Sequence, residues 1–328
     1  MLYLPEPSKQ TLKEYFEKIK PKVTGKINAL SDANVRAYLN LNLKDILTDK
    51  PKDLLSHQTD LIDNLFKAHI LNFIDAEYKQ LLCVWTKKHK STAEISLCTK
   101  YKIAIDVFNC FDYENFISQS KSTAYQLALA LNRNTCTYCN RLYTNTIVVQ
   151  KNDKGRITRP QFDHWFAKSK FPILALSFYN LIPSCSTCNS SIKGDTEFDL
   201  STHIHPYIKE KGQDFSFSYE IENIDSYKVK IENVATGSKI ENTLKEFKIE
   251  EVYNAHSMFE LKDLIDLKQK YSEDYLDLLF KKSFKGIGMS EEEIYRMVFG
   301  VEKEEKDFHK RPFSKFKTDI VKELRKND

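Results

Sequence analysis

The sequence predicts an α+β protein: a helical N-terminal region, a small central module, and a mixed α/β C-terminal region. Three observations predict it. Apolar residues recur at three- and four-residue spacing through the first part of the chain, the helical period. The pattern turns strand-like after Arg141 and again at FSFSYEI. Four of the seven cysteines form two C-x-x-C pairs, Cys136-Thr-Tyr-Cys139 and Cys185-Ser-Thr-Cys188. At 328 residues the chain exceeds the usual size of one domain, and these changes divide it into 1–130, 131–210 and 211–328.

In the first region Leu54, Leu61, Leu65, Phe66, Ile70 and Phe73 keep helical spacing. Amphipathic stretches follow at Phe73 to Trp85 and Ile103 to Phe111, and a last helix, Thr123 to Leu131, runs into the first cysteine pair. Cys83, Cys98 and Cys110 stand on apolar faces and read as inert core thiols. His57, His69 and His89 have no partner at ligand spacing.

In the second region YTNTIVVQ and RITRPQFDHW flank the turn-forming Asn152-Asp153-Lys154-Gly155, which predicts an antiparallel hairpin from about Leu142 to Trp165. The apolar run FPILALSFYNLIP predicts a short helix leading into a strand at Asn180 to Ile182. Ser186 is then placed to cap a helix that carries Asn189 and Lys193 and stops at Gly194. In the third region FSFSYEI and YKVKIEN alternate as strands, Leu244 to Leu279 is helical in period, and two helices broken near Pro312 follow Ser290. The charged run EKEEKDFHKR reads as a solvated face.

Composition excludes several classes. A 41% hydrophobic and 12% aromatic content is that of a folded chain rather than a disordered one. With 8 glycines, neither G-x-G-x-x-G nor G-x-x-x-x-G-K-[ST] occurs, so no glycine-rich phosphate cradle is expected. No apolar run approaches the roughly 20 residues of a membrane span, and MLYLPEPSKQ lacks the features of a signal peptide, so the expected location is the cytoplasm. The net charge is only +4, but Leu131 to Gly212 holds 11 Lys and Arg against six acids, or +5, leaving −1 for the remainder. The positive excess lies with the motifs.

Two knuckles of paired thiolates have the spacing that tetrahedral zinc requires. By chance seven cysteines in this length give only about 0.15 such pairs. Thiol redox chemistry needs a single pair, so Cys136, Cys139, Cys185 and Cys188 are expected to hold a structural Zn²⁺, with no open coordination position for catalysis. Between the knuckles lies Asp163-His164-Trp165. Hydrolysis of a phosphodiester needs an activated water, a base and a cation to carry developing charge. Asp163 offers a hard oxygen to Mg²⁺ or Mn²⁺, His164 on the opposite face of the strand is the candidate base, and Asn189, next to Cys188, offers a second oxygen.

The order C-x-x-C, Asp163-His164-Trp165, Asn180-Leu181-Ile182-Pro183-Ser184-Cys185, then C-x-x-C-Asn189 and Lys193-Gly194 resembles the ββα-metal fold of HNH endonucleases. The resemblance covers Cys136 to Gly194 and implies His164 as general base, Asp163 and Asn189 as ligands of the catalytic ion, and Asn180 as the residue that braces the metal-binding loop. It differs in a third-position Asn and in a long apolar loop from Trp165 to Asn180 without paired glycines. More loosely, the helical and mixed flanks are similar to nucleases of bacterial anti-phage systems, including the Septu-type subunit, which implies a regulatory ATPase as partner. The implied substrate is nucleic acid, DNA ahead of RNA. The other reading of the same residues is a non-catalytic zinc module that binds nucleic acid or a protein.

Further candidates surround the motif. Lys193 is either a solvated helix end or a phosphate contact. His203 and His205 in STHIHPY are either loop histidines or ligands of phosphate or metal at the rim. Arg141, Arg156 and Arg159 are backbone contacts or solubilising strand residues.

Overall fold

A computed structural model describes residues 2–149, 155–194, 196–223, 226–271, 275, 278 and 288–325. Helices α1 (Lys9–Asn28) and α2 (Ala33–Thr48) open the chain, each started by a side chain that accepts from free backbone N–H groups. Ser8 takes Thr11 N–H, and Asp32 takes those of Asn34 and Val35. Both bury a stripe at three- and four-residue spacing: Tyr15, Ile19, Val23 and Ile27 on α1, and Val35, Leu39, Leu43, Ile46 and Leu47 on α2. Helices α3 (Pro51–Leu61), α4 (Asp75–Val84), α5 (Thr92–Lys100), α6 (Lys102–Phe108) and α7 (Lys121–Leu131) complete the helical region. Among the described residues no helix is long and apolar enough to cross a membrane.

The expected single hairpin from Leu142 to Trp165 is replaced by two separate pairings. Strand β1 (Ile147–Val148) pairs antiparallel with β2 (Arg156–Thr158), whereas β3 (Gln161–His164) leaves that ribbon and pairs with β4 (Leu181–Ser184). Pro160 lies at the break, and a proline without an N–H cannot continue the ladder. The turn residues Asn152, Asp153 and Lys154 lie outside the described residues. The apolar run forms two 3₁₀ turns, Pro172–Leu176 and Phe178–Asn180, so Asn180 ends a turn and the strand begins one residue later. Ser186 precedes a wide, π-type turn, Thr187–Lys193, without a side-chain cap bond, and Gly194 ends it at φ 50°.

The loop between β3 and β4 is anchored by the helical region. Tyr15 Oη donates to Leu176 O at 2.6 Å, Ser177 Oγ to Ile46 O at 2.5 Å, and Gln58 Nε2 to Lys170 O at 2.9 Å. Residues 172–176 are all buried, which explains why the loop is apolar: it is a piece of core rather than a surface connection.

In the last region β5 (Ser216–Asn223) and β6 (Ser226–Glu232) form an antiparallel pair with Ser216 opposite Glu232 and Tyr219 opposite Val229. Helices α8 (Lys239–Glu246), α9 (Ile249–Asn254), α10 (Lys262–Lys270), α11 (Glu291–Phe299) and α12 (Ser314–Leu324) follow. The run EKEEKDFHKR is not simply a solvated face. Phe308 is buried, and the backbone carbonyls of Phe308, His309 and Arg311 receive Asn140 Nδ2, Thr135 Oγ1 and again Asn140 Nδ2. One contiguous hydrophobic core draws on residues of all three regions, from Leu4 to Leu324.

Candidate metal centre and the strand beside it

Cys136, Cys139, Cys185 and Cys188 are buried, and their sulfurs lie within 4.8 Å of one another. Tetrahedral zinc with bonds of about 2.3 Å sets its sulfurs roughly 3.8 Å apart, and Cys139 Sγ is 4.0 Å from Cys185 Sγ. None of the four is in a disulfide. The four can therefore hold a metal ion, and the donor set is that of a closed structural site. Hydrogen bonds within the cluster hold the Cys139 and Cys185 thiols below their ordinary value, while burial raises Cys136 and the same hydrogen bonds raise Cys188.

Local structure explains the convergence. Asn140 follows the first knuckle in the left-handed region at φ 49°. Its carbonyl accepts from Phe313 N and its side chain is bonded on both sides, so the turn is fixed by the C-terminal segment. Tyr253 Oη donates to Cys139 O at 2.6 Å. The second knuckle is the continuation of β4, and Thr137 N–H donates to Pro183 O, joining the two knuckles through backbone.

Beside the cluster, alternation along β3 sends Asp163 and His164 to opposite faces. Asp163 is 2% exposed. Tyr138, inside the first knuckle, donates to Asp163 Oδ2 at 2.5 Å, and Lys193 Nζ lies 3.2 Å from Oδ1 and 2.9 Å from His164 O. Burial pushes the Asp163 carboxyl above its ordinary value, against the pull of the Lys193 ammonium and the Tyr138 hydroxyl. His164 Nε2 meets Ala175 O at 3.0 Å. A carbonyl only accepts, so Nε2 carries the proton and Nδ1 the lone pair. The His164 ring packs edge-on against Tyr113, with centroids 4.4 Å apart. Burial, helped by the Lys168 charge, lowers its pKa to about 3, so the imidazole is neutral at ordinary pH.

Asn180 is fully buried and bridges the loop: its Oδ1 accepts from Phe166 N at 2.7 Å, and its Nδ2 donates to Phe166 O and Leu174 O. Asn189 is half-buried, and its Nδ2 donates to Gln161 Oε1 at 2.9 Å. Gln161 stands two residues before Asp163 and shares its face, so Asn189 is on the Asp163 side of the strand but bonded to a different residue.

Lys193 is not a solvated helix end: it is 2% exposed, paired with Asp163, and its Nζ lies 5.0 Å from the Phe198 ring centroid. His205 is in the core rather than at a rim, 1% exposed and against Trp165, and it accepts from Tyr207 N at Nδ1. Its pKa falls to about 3 by burial. His203 is half-buried and stacked on Phe198 at 4.3 Å. Arg141 reaches His256 Nε2 at 3.1 Å, and Arg159 donates to Ser118 O and Pro160 O, so both are tied to neighbouring segments. Cys110 is buried and its thiol is pushed up to about 11 by that burial, whereas Cys83 is exposed, with Lys170 Nζ 3.1 Å from its sulfur.

Tyr138, Gln161 and Tyr113 were not anticipated. Strand alternation could have indicated Gln161, and the position of Tyr138 inside a C-x-x-C could have indicated a contact near the cluster. Tyr113 comes from a region with no motif.

The Asp163–Lys193 pair makes a testable contribution to stability. Removing one partner of a buried pair leaves an uncompensated charge, at a cost of about 3–5 kcal/mol. Lys193→Met is therefore expected to lower the unfolding free energy by that order, and adding Asp163→Asn to restore part of it. Denaturant unfolding of the metal-loaded protein checks this; two single losses that simply add would mean the pair is uncoupled.

Comparison with protein-family models, with curated proteins and with solved structures gives no match. The geometry defines a class of site: four buried cysteines close enough to hold a metal ion, beside a strand pair that carries an acid and an imidazole.

Proposed function

We propose that this chain is a metal-dependent HNH-type nuclease that hydrolyses nucleic-acid phosphodiesters, with Zn²⁺ in the cysteine cluster as its structural metal. The observation that carries the reading is the order of elements around Asp163 and His164. Strand β3 bears the pair, β4 runs directly into the second knuckle, and the turn after it carries Asn189 and Lys193. The bonding of Asn180 supports it too, since its amide ties the start of the β3–β4 loop to its end.

His164 would accept the proton of the attacking water at Nδ1, the nitrogen whose lone pair is left by the bond of Nε2 to Ala175 O. Asp163 and Asn189 would hold Mg²⁺ or Mn²⁺, which supplies a counter-charge to the phosphate when bound. The donor types suit a hard ion, but both Asp163 oxygens are already engaged and His164 is covered by Tyr113. These contacts close the site, which fits control by a partner such as the ATPase of a defence system. The same closure favours a second reading, a zinc module that binds without cutting.

The basic excess between Leu131 and Gly212 supports a polyanionic substrate, with DNA the proposed one. The test is incubation with plasmid, linear duplex, single strands and RNA in Mg²⁺, Mn²⁺ or EDTA. Cleavage of DNA that EDTA abolishes is expected. Intact substrates in every lane would favour the binding module.

A further inference from the structure

A segment of the helical region that carries no motif gathers positive charge beside the imidazole. The π-type turn Glu114–Ser118 receives Lys22 Nζ, which donates to Phe116 O at 3.1 Å, and Arg159 Nη2, which donates to Ser118 O. Lys22 and Lys26 both stand over the Phe116 ring, 5.7 and 5.3 Å from its centroid. Lys168 stands over Tyr113, 5.6 Å from the centroid of a ring that itself packs on His164 at 4.4 Å. We propose that this turn, with Lys22 and Lys168, is a nucleic-acid interface, and that a strand laid across it runs beside His164 with Tyr113 between. The inference rests on the nucleic-acid partner of the function proposed above, and not on cutting or on a second metal.

Pairing separates this patch from ordinary surface charge. Lys67, Lys102 and Lys245 each meet a carboxylate four positions away, in exposed pairs that largely cancel. Around the turn Lys26 is paired, with Asp112. Among the described residues neither Lys22 nor Lys168 has a carboxylate partner. The oxygens around Lys22 Nζ are neutral ones, Phe116 O, Ser120 Oγ and Thr123 Oγ1. Burial and the charge of neighbouring Lys18 lower its pKa, as expected of a cation that no anion offsets. Lys22, Lys26, Arg159 and Lys168 thus stand against Asp112 and Glu114, four charges against two, for an excess of two positive charges.

The arrangement suits a strand with many phosphates. Ring and carbonyl contacts hold the ammoniums in place before anything binds, which lowers the ordering cost of association. Cations interleaved with aromatic rings, here the half-buried Tyr113 and Phe116, are the make-up of surfaces that track a nucleic-acid backbone. Each phosphate met by a lysine releases condensed counterions, so contacts that are weak singly add along the strand. The helical region would thereby supply part of the surface on which the partner of the central module lies.

The experiment is binding of fluorescein-labelled oligonucleotides, one single-stranded and one duplex, to the full-length protein without added Mg²⁺ or Mn²⁺, followed by fluorescence anisotropy over a salt series. The double variant Lys22→Gln/Lys168→Gln is compared with the wild type and with Lys245→Gln, whose lysine is paired with Glu241 on α8. The double variant is expected to bind about tenfold more weakly at low salt, and its slope of log affinity against log salt to be shallower by about two, one for each lysine. Lys245→Gln is expected to match the wild type. Lys168 is exposed, so Lys168→Gln alone, with a slope shallower by about one, carries the test if Lys22→Gln impairs folding. A double variant with wild-type affinity and slope overturns the proposal, as does an equal loss in Lys245→Gln or a wild type that binds neither oligonucleotide. Binding that the variants lose, in a protein that cuts no substrate, leaves the interface standing and removes the nuclease reading. Cutting at the wild-type rate by the double variant removes the interface and leaves the nuclease.

Discussion

Cys185→Ser is expected to lose the cluster metal and to unfold well below the wild type. Metal binding and folding are one equilibrium where the ligands come from distant segments, and the apparent binding energy of a structural zinc is about 10–16 kcal/mol in isolated zinc-finger peptides. Here the cluster joins residues on either side of the β3–β4 unit, where the backbone bond from Thr137 N to Pro183 O joins the same two segments. Part of the loss is offset by the surrounding core, which also holds Tyr138, Trp165 and Phe178. A net cost of about 4 kcal/mol would lower the melting temperature by roughly 6 °C if the whole chain unfolds as one unit, at about 2.1 cal/mol/K of unfolding entropy per residue. Cys110→Ser is the control, since that thiol is buried outside the cluster. Elemental analysis of protein prepared without chelators should give one zinc per chain in the wild type and in Cys110→Ser, and none in Cys185→Ser. A wild type without zinc, or a Cys185→Ser protein that melts with it, would count against the cluster as a metal site.

How far the sequence disclosed this arrangement depends on the range of the interactions involved. The two C-x-x-C pairs were legible because chelation by a tight knuckle is a local property, and the sulfurs do converge. The strands FSFSYEI and YKVKIEN were legible because alternation is local too, and they pair as β5 and β6. The partner of β3 was not legible in the same way. Period and turn residues pointed to the segment before it, and the competing pull came from β4, held by the knuckle and by a loop buried under α1, α2 and α3.

The site residues follow the same rule. Asp163 and His164 were found from adjacency, and their opposite faces followed from strand geometry. The environment of each was not: Lys193 arrives from 30 positions away, and Tyr113, from the helical region, lies against His164. Charge at a helix end suggested solvent for Lys193, but a buried carboxylate outweighs that preference. His205 was misplaced for a related reason, because a histidine in a polar-looking STHIHPY segment gives no sign that Trp165 will cover it.

The acid-base assignment predicts the other large effect. His164→Ala removes the imidazole whose neutral form is to take the proton of water, and loss of a general base typically costs about 10²–10⁴ in rate. The ring's hydrogen bond to Ala175 O and its packing on Tyr113 are away from the four cysteines' own bonds, so zinc content is expected to stay at one per chain. The decisive measurement is the rate of DNA cleavage by His164→Ala beside the wild type at equal zinc content and in the same Mg²⁺. A fall of at least about a hundredfold is the predicted result; cleavage at the wild-type rate by zinc-loaded His164→Ala would contradict the account.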